Sequence, residues 1–262
     1  MSFLVRRPGA RLRGVVDRVW YVEGGAASEP ETICPDGRTE IVLHLGDPMR
    51  EQRSGRELTQ PRHLLVGQMD LPMTIVSSGT LRMVGATLEP AALYTVLPLP
   101  QSELVGRVTD LEGIWGRWTR ETADRIAQAP DGDAALDRFE AALQALFPAE
   151  EQPRAPMTIA VARLRQTGGQ ASIARLAIDL GLGRRQFERR FREEIGLPPR
   201  LFGRIVRFQR AFRAIGRESG AAIAARCGYA DQAHLVREIR RFAGRTPTLL
   251  AEADGLTAFF RG

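Results

Sequence analysis

Two segments set charged and amide side chains at helical spacing opposite an apolar stripe, and those side chains can read base edges. In the first, Phe187, Phe191 and Ile195 recur four apart, so a helix over Arg184–Ile195 turns Arg185, Glu188, Arg189 and Arg192 to its other face. A guanidinium fork pairs with guanine O6 and N7, and a carboxylate accepts from cytosine N4. Glu188 has a second reading, in which it only orients a neighbouring arginine. In the other segment Leu235, Ile239 and Phe242 point inward, which leaves Gln232, Ala233, Val236 and Arg237 outward and Arg240 one turn on. Gln232 and Arg237 are its best base readers, and Ala233 and Val236 suit a thymine methyl. Arg184 and Arg192 lie nearer the ends of the groove contact and, with Arg240, suit phosphates. Helix N-terminal amides at Ser172 and Ser219, together with Thr246, suit phosphate clamps. His234 fits a phosphate contact or a hydrogen bond within its own domain.

The elements that must position these residues occur twice. Ala177-Ile-Asp-Leu-Gly181-Leu182 returns 47 residues later as Ala224-Ala-Arg-Cys-Gly228-Tyr229, and Phe187, Phe191, Gly196 and Pro199 pair with Leu235, Ile239, Gly244 and Pro247. Each copy reads as a short helix, a glycine turn and a longer helix, the pattern of a helix-turn-helix. Ser172 and Asp231 are expected N-caps. A long helix over 201–217, apolar along Ile205, Phe208, Phe212 and Ile215 while Arg204, Arg207, Arg210 and Arg213 project elsewhere, is expected to join the copies. Two helices held this way can enter successive major grooves, roughly 34 Å apart on one face of a duplex.

Charge divides along the same line. Residues 154–262 carry 21 Arg against 9 Asp and Glu, whereas residues 1–153 carry 16 Arg against 22. All 37 basic residues are arginine, a residue suited to phosphate and guanine. A basic module joined to an acidic one implies that only the C-terminal part meets nucleic acid.

The first hundred residues read as strands and turns: 15–22, then Pro35-Asp36-Gly37 leading into 39–45, then 63–66, 73–76 and 81–88. Residues 49–62 are polar and read as a loop. Helical spacing begins after Glu89, with one segment around 90–97, another through Leu111, Ile114, Trp115 and Trp118, and a third through Leu136, Phe139, Leu143 and Leu146. The expected fold is α+β. An N-terminal small β-barrel or sandwich with covering helices occupies 1–147, and a charged, proline-rich linker occupies 148–156. An all-α domain with two helix-turn-helix motifs joined by a long helix occupies 157–262. Phe259 and Phe260 are expected to fold back onto a core. Trp20, Val42 and His44 would line the barrel interior, either around a small organic molecule or in a packed face that serves only as an interface.

The stretch from Ile223 to Pro247, with Gly228-Tyr229, Asp231-Gln232, His234-Leu235, Arg237, Arg240-Arg241, Gly244 and Thr246-Pro247, resembles the signature of AraC/XylS-type transcription regulators. Tyr229, Ala233 and Ile239 replace the usual Phe, Ser and Phe with residues of similar size or polarity. The resemblance covers 157–253 and puts Arg185, Glu188 and Arg189 at base-reading positions. Less specifically, Val19-Trp20, Pro35-Asp36-Gly37, Leu45 to Pro48, Gly67, Gly85 and Asp110-Leu111 with Trp115 are similar to a sensor-like domain found in some of these regulators.

The implied partners are a double-stranded DNA operator and a small-molecule effector of unspecified identity. A second copy of the chain is a further candidate, as is RNA polymerase if the protein activates. No cofactor, metal or enzymatic activity is expected. Cys34 stands alone before its turn, and His44, His63, Glu40 and Asp36 show no ligand spacing. The N-terminal apolar run is too short for a signal peptide, and no stretch nears the roughly 20 apolar residues of a membrane span. The expected setting is therefore cytoplasmic and reducing.

Overall fold

The computed structural model describes residues 2–26, 29–53, 56–148 and 156–252. Its strands are β1 (Ser2–Arg6), β2 (Val16–Gly24), β3 (Glu31–Ile33), β4 (Thr39–His44), β5 (Arg50–Arg53), β6 (Arg56–Thr59), β7 (His63–Val66), β8 (Met73–Val76), β9 (Leu81–Leu88) and β10 (Val108–Asp110). Three helices follow or interleave, α1 (Ala92–Val96), α2 (Glu112–Ala127) and α3 (Gly132–Leu146). Seven more complete the described chain: α4 (Pro156–Gln166), α5 (Ile173–Asp179), α6 (Arg184–Ile195), α7 (Pro199–Phe212), α8 (Gly220–Cys227), α9 (Gln232–Ala243) and α10 (Pro247–Glu252).

The strands form two antiparallel sheets, one ordered β1-β2-β9-β4-β7-β10 and the other β3-β8-β5-β6. Alternation along each strand of the larger sheet sends its residues to opposite faces. Val19 and Tyr21 of β2, Ile41 and Leu43 of β4, and Val84 and Ala86 of β9 pack against Ile126, Leu136, Phe139 and Leu143 of α2 and α3. Trp20, Val22, Val42, Leu64 and Met83 face the other way, towards the smaller sheet. The Trp118 indole donates to the Ala142 carbonyl at 3.1 Å and ties α2 to α3. At Trp115 the backbone leaves helical values, φ −127° and ψ 46°, and α2 kinks there. The larger sheet thus has a helical layer outside and a second sheet inside.

The α+β class is as expected, and the structure refines several elements. Residues 49–62 are not a loop: they hold the β5–β6 hairpin, closed by pairs from Arg50–Thr59 to Arg53–Arg56. Its residues are mostly charged or polar and its outer strand is exposed, so it lacks the apolar alternation that marks a strand in sequence. The short strands β3 and β10, and the edge strand β1, were likewise outside the expected set. The helix joining the repeats is shorter than expected, since it gives way to turns after Phe212, although Ile215 still packs on the core. The expected linker falls almost wholly, and Phe259 and Phe260 wholly, outside the described residues. Among the described residues no helix is long and apolar enough to cross a membrane.

Candidate nucleic-acid interface and cavity

Helices α5 and α6 form one helix-turn-helix and α8 and α9 the other. Each short helix is capped locally: the hydroxyl of Ser172 accepts from Arg175 N–H at 3.3 Å, and that of Ser219 from Ala222 N–H at 3.2 Å. The Asp231 carboxylate caps α9 by accepting from His234 N–H at 2.6 Å. The turn between α8 and α9 needs a left-handed residue, which Gly228 provides at φ +73°. Phe187, Phe191 and Ile195 of α6 and Leu235, Ile239 and Phe242 of α9 are buried in one apolar cluster that also takes in Phe202, Ile205 and Phe208 of α7. The two motifs therefore share a core and present their outer faces from a single body.

Two arginines of α7, expected only to project away from its apolar stripe, are engaged by the second motif. Arg204 donates twice to the Glu238 carboxylate of α9, at 3.0 and 2.6 Å, and this pairing holds Glu238 below the usual carboxylate range despite its burial. Arg207 lies 4.8 Å over the Tyr229 ring and donates to the Gly228 carbonyl. Both fix the second motif against the connecting helix.

The outer faces are arranged differently. Arg185, Arg189, Arg192, Arg237 and Arg240 are exposed and, among the described residues, their side chains make no ion pair or hydrogen bond. Gln232 is also exposed, with its amide lying over Gly220 at the start of α8, and Val236 is half-buried beside it. Glu188 accepts from Arg184 at 3.0 Å, the orienting geometry that was one of its two readings. His234 Nδ1 accepts from Ala230 N–H at 3.4 Å, and its ring packs edge-on against Tyr229. Thr246 directly precedes α10, and its carbonyl accepts from Leu250 N–H. Unpaired outward arginines keep their full donor sets for an external anion.

The first strands meet this body at a seam absent from the sequence reading. Cys34, 3% exposed, sits in the helical cluster rather than in the sheets' own core. The Pro35 carbonyl accepts from Gln209 of α7 at 2.6 Å. Gly37 rests on the Phe202 ring, and its carbonyl accepts from Gln68 at 3.1 Å. Arg165 pairs with Glu89 at 2.5 Å, and Tyr94 donates to Glu193 at 3.3 Å. The turn at Gln101–Glu103 packs beside α6, and Pro100 and Ser102 border the groove that carries Arg184, Arg185 and Arg189. Burial, with Asp36 adding to it, pushes the Cys34 thiol up to about 12, so it is not a thiolate nucleophile at neutral pH.

Between the two sheets lies a cavity with about 90 Å³ of open space. Trp20, Val42 and His44 line it, together with Glu31, Glu40 and four methionines, Met49, Met69, Met73 and Met83. Gly85 carries no side chain because the Trp20 indole occupies that place. The far side of the 34–38 loop closes the cavity through Cys34, Asp36 and Arg38, so one five-residue segment touches both the cavity and α7. The methionines and glutamates come from separate strands and loops, and no local spacing announces them. Among the described residues no group of His, Cys, Asp and Glu is placed to hold a metal ion.

Residues 5–110 match the family of a domain of unknown function (DUF6597), and residues 176–253 match a helix-turn-helix domain. No curated protein matches the chain. Among solved structures it is similar to ToxT from Vibrio cholerae, at 10% identity and TM-score 0.49, over 97% of this chain and 100% of that one. It is also similar to the xylose-binding transcription activator XylR, at 14% identity and TM-score 0.34, over 46% and 38% of the two chains. The AraC-like transcriptional activator CuxR gives 11% identity and TM-score 0.26, over 72% and 79%. Identities and scores this low leave these as distant likenesses. The two domain matches give the chain an N-terminal DUF6597 domain at residues 5–110 and a helix-turn-helix DNA-binding domain over the paired motifs at residues 176–253.

Proposed function

We propose that the protein binds a specific DNA site through α6 and α9 in successive major grooves, and that its N-terminal domain, residues 1–147, controls this binding. The observation that carries the reading is the shared core of the two motifs, which presents both outer faces from one body, with the side chains of Arg185, Arg189, Arg192, Arg237 and Arg240 unpaired among the described residues. Arg185, Glu188 and Arg189 on α6, with Gln232, Val236 and Arg237 on α9, are assigned to bases. Arg184, Arg192, Arg240, His234, Thr246 and the N-terminal ends of α5 and α8 at Ser172 and Ser219 are assigned to phosphates. The 34–38 loop supports control, because an effector held beside it bears on the helix that joins the two readers. A ligand controls DNA binding only if it favours one arrangement of that seam over another.

Selection of bound sequences from random duplexes by the full-length protein tests this directly. Arg189→Ala and Arg237→Ala should each relax one base position, about one helical turn apart, with losses of about 1–3 kcal/mol on the selected site. Equal losses on selected and random DNA would reduce both arginines to phosphate contacts and refute base reading by these helices.

A further inference from the structure

The cavity between the sheets is unusual in which polar groups it keeps. Two carboxylates face it from opposite sheets, Glu31 from β3 and Glu40 from β4. Glu31 has no ion pair or hydrogen bond among the described residues, and burial alone raises its pKa. Glu40 has one hydrogen bond, in which the Thr87 hydroxyl donates to it at 2.8 Å. Burial and nearby Asp36 outweigh Arg18 and Arg38 and push Glu40 up to about 7. Arg38 is already engaged with Asp17 at 3.1 Å, and Arg18 lies 3.9 Å from the same carboxylate. The cavity lining, then, carries two guanidiniums, Arg18 and Arg38, both drawn to Asp17 outside it, and three carboxylates, those of Asp36, Glu31 and Glu40.

His44 adds an acceptor of another kind. The residue is 2% exposed and lines the cavity, and its Nδ1 is buried with no hydrogen-bond partner among the described residues. Burial keeps the ring neutral, with a pKa lowered to about 4, so it has a ring nitrogen whose lone pair can accept from a ligand's donor. A buried acceptor left unmet costs free energy that a ligand's donor would recover. The rest of the lining is soft: the Trp20 ring and four methionines, whose three rotatable bonds and polarisable sulfur let them close on an irregular apolar body.

From these placements we infer that the cavity binds a compact protonated amine, an ammonium group on a single apolar ring, with the ammonium donating among Glu31, Glu40 and the His44 ring nitrogen and the apolar ring held by Trp20 and the methionines. This rests on the reading of the cavity as the effector site and adds the chemical class of the effector. An open space of about 90 Å³ sets the size at one ring unless the methionines move. A carboxylate ligand would meet the carboxylates of Glu31, Glu40 and Asp36, with Arg38 turned to Asp17 and only its buried Nε without a partner among the described residues. A neutral ligand would leave the excess negative charge uncompensated.

Benzylamine, benzyl alcohol and benzoate share a ring and differ in charge, and calorimetric titration of each into the full-length protein at pH 7.5 tests the inference. Benzylammonium should bind at least about tenfold tighter than benzyl alcohol, a difference expected of a charged hydrogen bond, with benzoate weakest. Glu31→Gln and Glu40→Gln should each remove about tenfold of the ammonium affinity while leaving benzyl alcohol unchanged. Thermal melts of the two variants would confirm that each is folded. Benzoate binding as tightly as benzylammonium, benzyl alcohol matching it, or no binding by any of the three would overturn the inference. Binding to the selected DNA, followed in the same samples, separates it from the reading beneath it. If benzylammonium binds as expected yet leaves DNA affinity unchanged, the ligand class stands and control through this cavity falls. If benzoate binds in its place and shifts DNA affinity, control stands and the ligand class falls.

Discussion

Gly37→Ala should weaken the seam between the sheets and α7 by an amount that a second glycine can calibrate. Gly37 has φ +75°, and a methyl there would sit 2.9 Å from Phe202 Cε2 and 3.3 Å from Cζ. Gly14 has a similar φ, +83°, and a methyl there meets nothing within 4 Å. Alanine at either position incurs the left-handed backbone penalty, about 1–2 kcal/mol. Only Gly37→Ala adds a collision with a buried ring that is fully enclosed by Phe191 and its neighbours, an overpacking cost of roughly 1–3 kcal/mol. Urea unfolding should therefore show Gly14→Ala losing about 1–2 kcal/mol and Gly37→Ala about 2–5 kcal/mol. Phe202→Leu withdraws the ring edge, so the double variant Gly37→Ala/Phe202→Leu should recover part of the extra loss relative to the sum of the singles. Equal destabilisation by the two glycine substitutions, or strict additivity with Phe202→Leu, would refute the contact as a source of stability.

The Arg204–Glu238 pair should respond asymmetrically. Arg204→Met strands a carboxylate that is 8% exposed and should lose about 2–4 kcal/mol, whereas Glu238→Gln leaves an arginine, 37% exposed, free to reach water and should lose less. Because the folded-state pKa of Glu238 is depressed, its contribution is present above the unfolded value and fades as pH falls through the folded one. Unfolding of wild type and Arg204→Met from pH 7 to pH 3 would show it: the gap between them should narrow on acidification, and a constant gap would refute the pairing. Glu40 has the opposite sign. Its folded pKa is raised, so its contribution is full below about 4.5 and is lost as pH climbs through about 7. Glu40→Gln should gain on wild type by roughly 1–2 kcal/mol between pH 5 and pH 8, after allowance for partial exposure. Since His44 is lowered to about 4, its contribution falls as pH drops from 6.5, and it is common to both proteins, so the difference between their curves isolates Glu40.

Much of the helical half was legible because its signals are local. Four-residue spacing through Phe187, Phe191 and Ile195 puts α6 at Arg184–Ile195 with both ends as expected, and Ser172, Ser219 and Asp231 cap the helices they precede. Strands such as β4 and β9, buried on both faces, announced themselves by apolar residues clustered between turns, Ile41-Val42-Leu43 in one and Leu81, Met83-Val84 and Leu88 in the other. The β5–β6 hairpin did not, because its register is held by charged pairs such as Arg50 with Glu57 rather than by an apolar face. The cavity was legible only in the strand-borne Trp20, Val42 and His44. Glu31 and Met73 reach it from the smaller sheet, and Met49 and Met69 from loops beside it, and only tertiary pairing brings those segments over β4. The partners of Arg204 and Arg207 were hidden for a related reason: helical spacing shows which side of α7 they occupy, not that α9 and Tyr229 lie against that side.

The seating of Cys34 among the helices bears on how such a regulator can be re-engineered or can diverge. In sequence the two halves join at 148–156, and a chimera cut there would look like a clean exchange of input for output. In space the loop at 34–38 belongs to the packing of the helices as much as to its own sheets. An exchanged N-terminal half arrives without a thiol for that hole, without a carbonyl for Gln209 and without a bare backbone for Phe202. A working hybrid would have to carry the loop and its three helical counterparts as one transplanted unit, so that the recombination boundary follows contact rather than chain order.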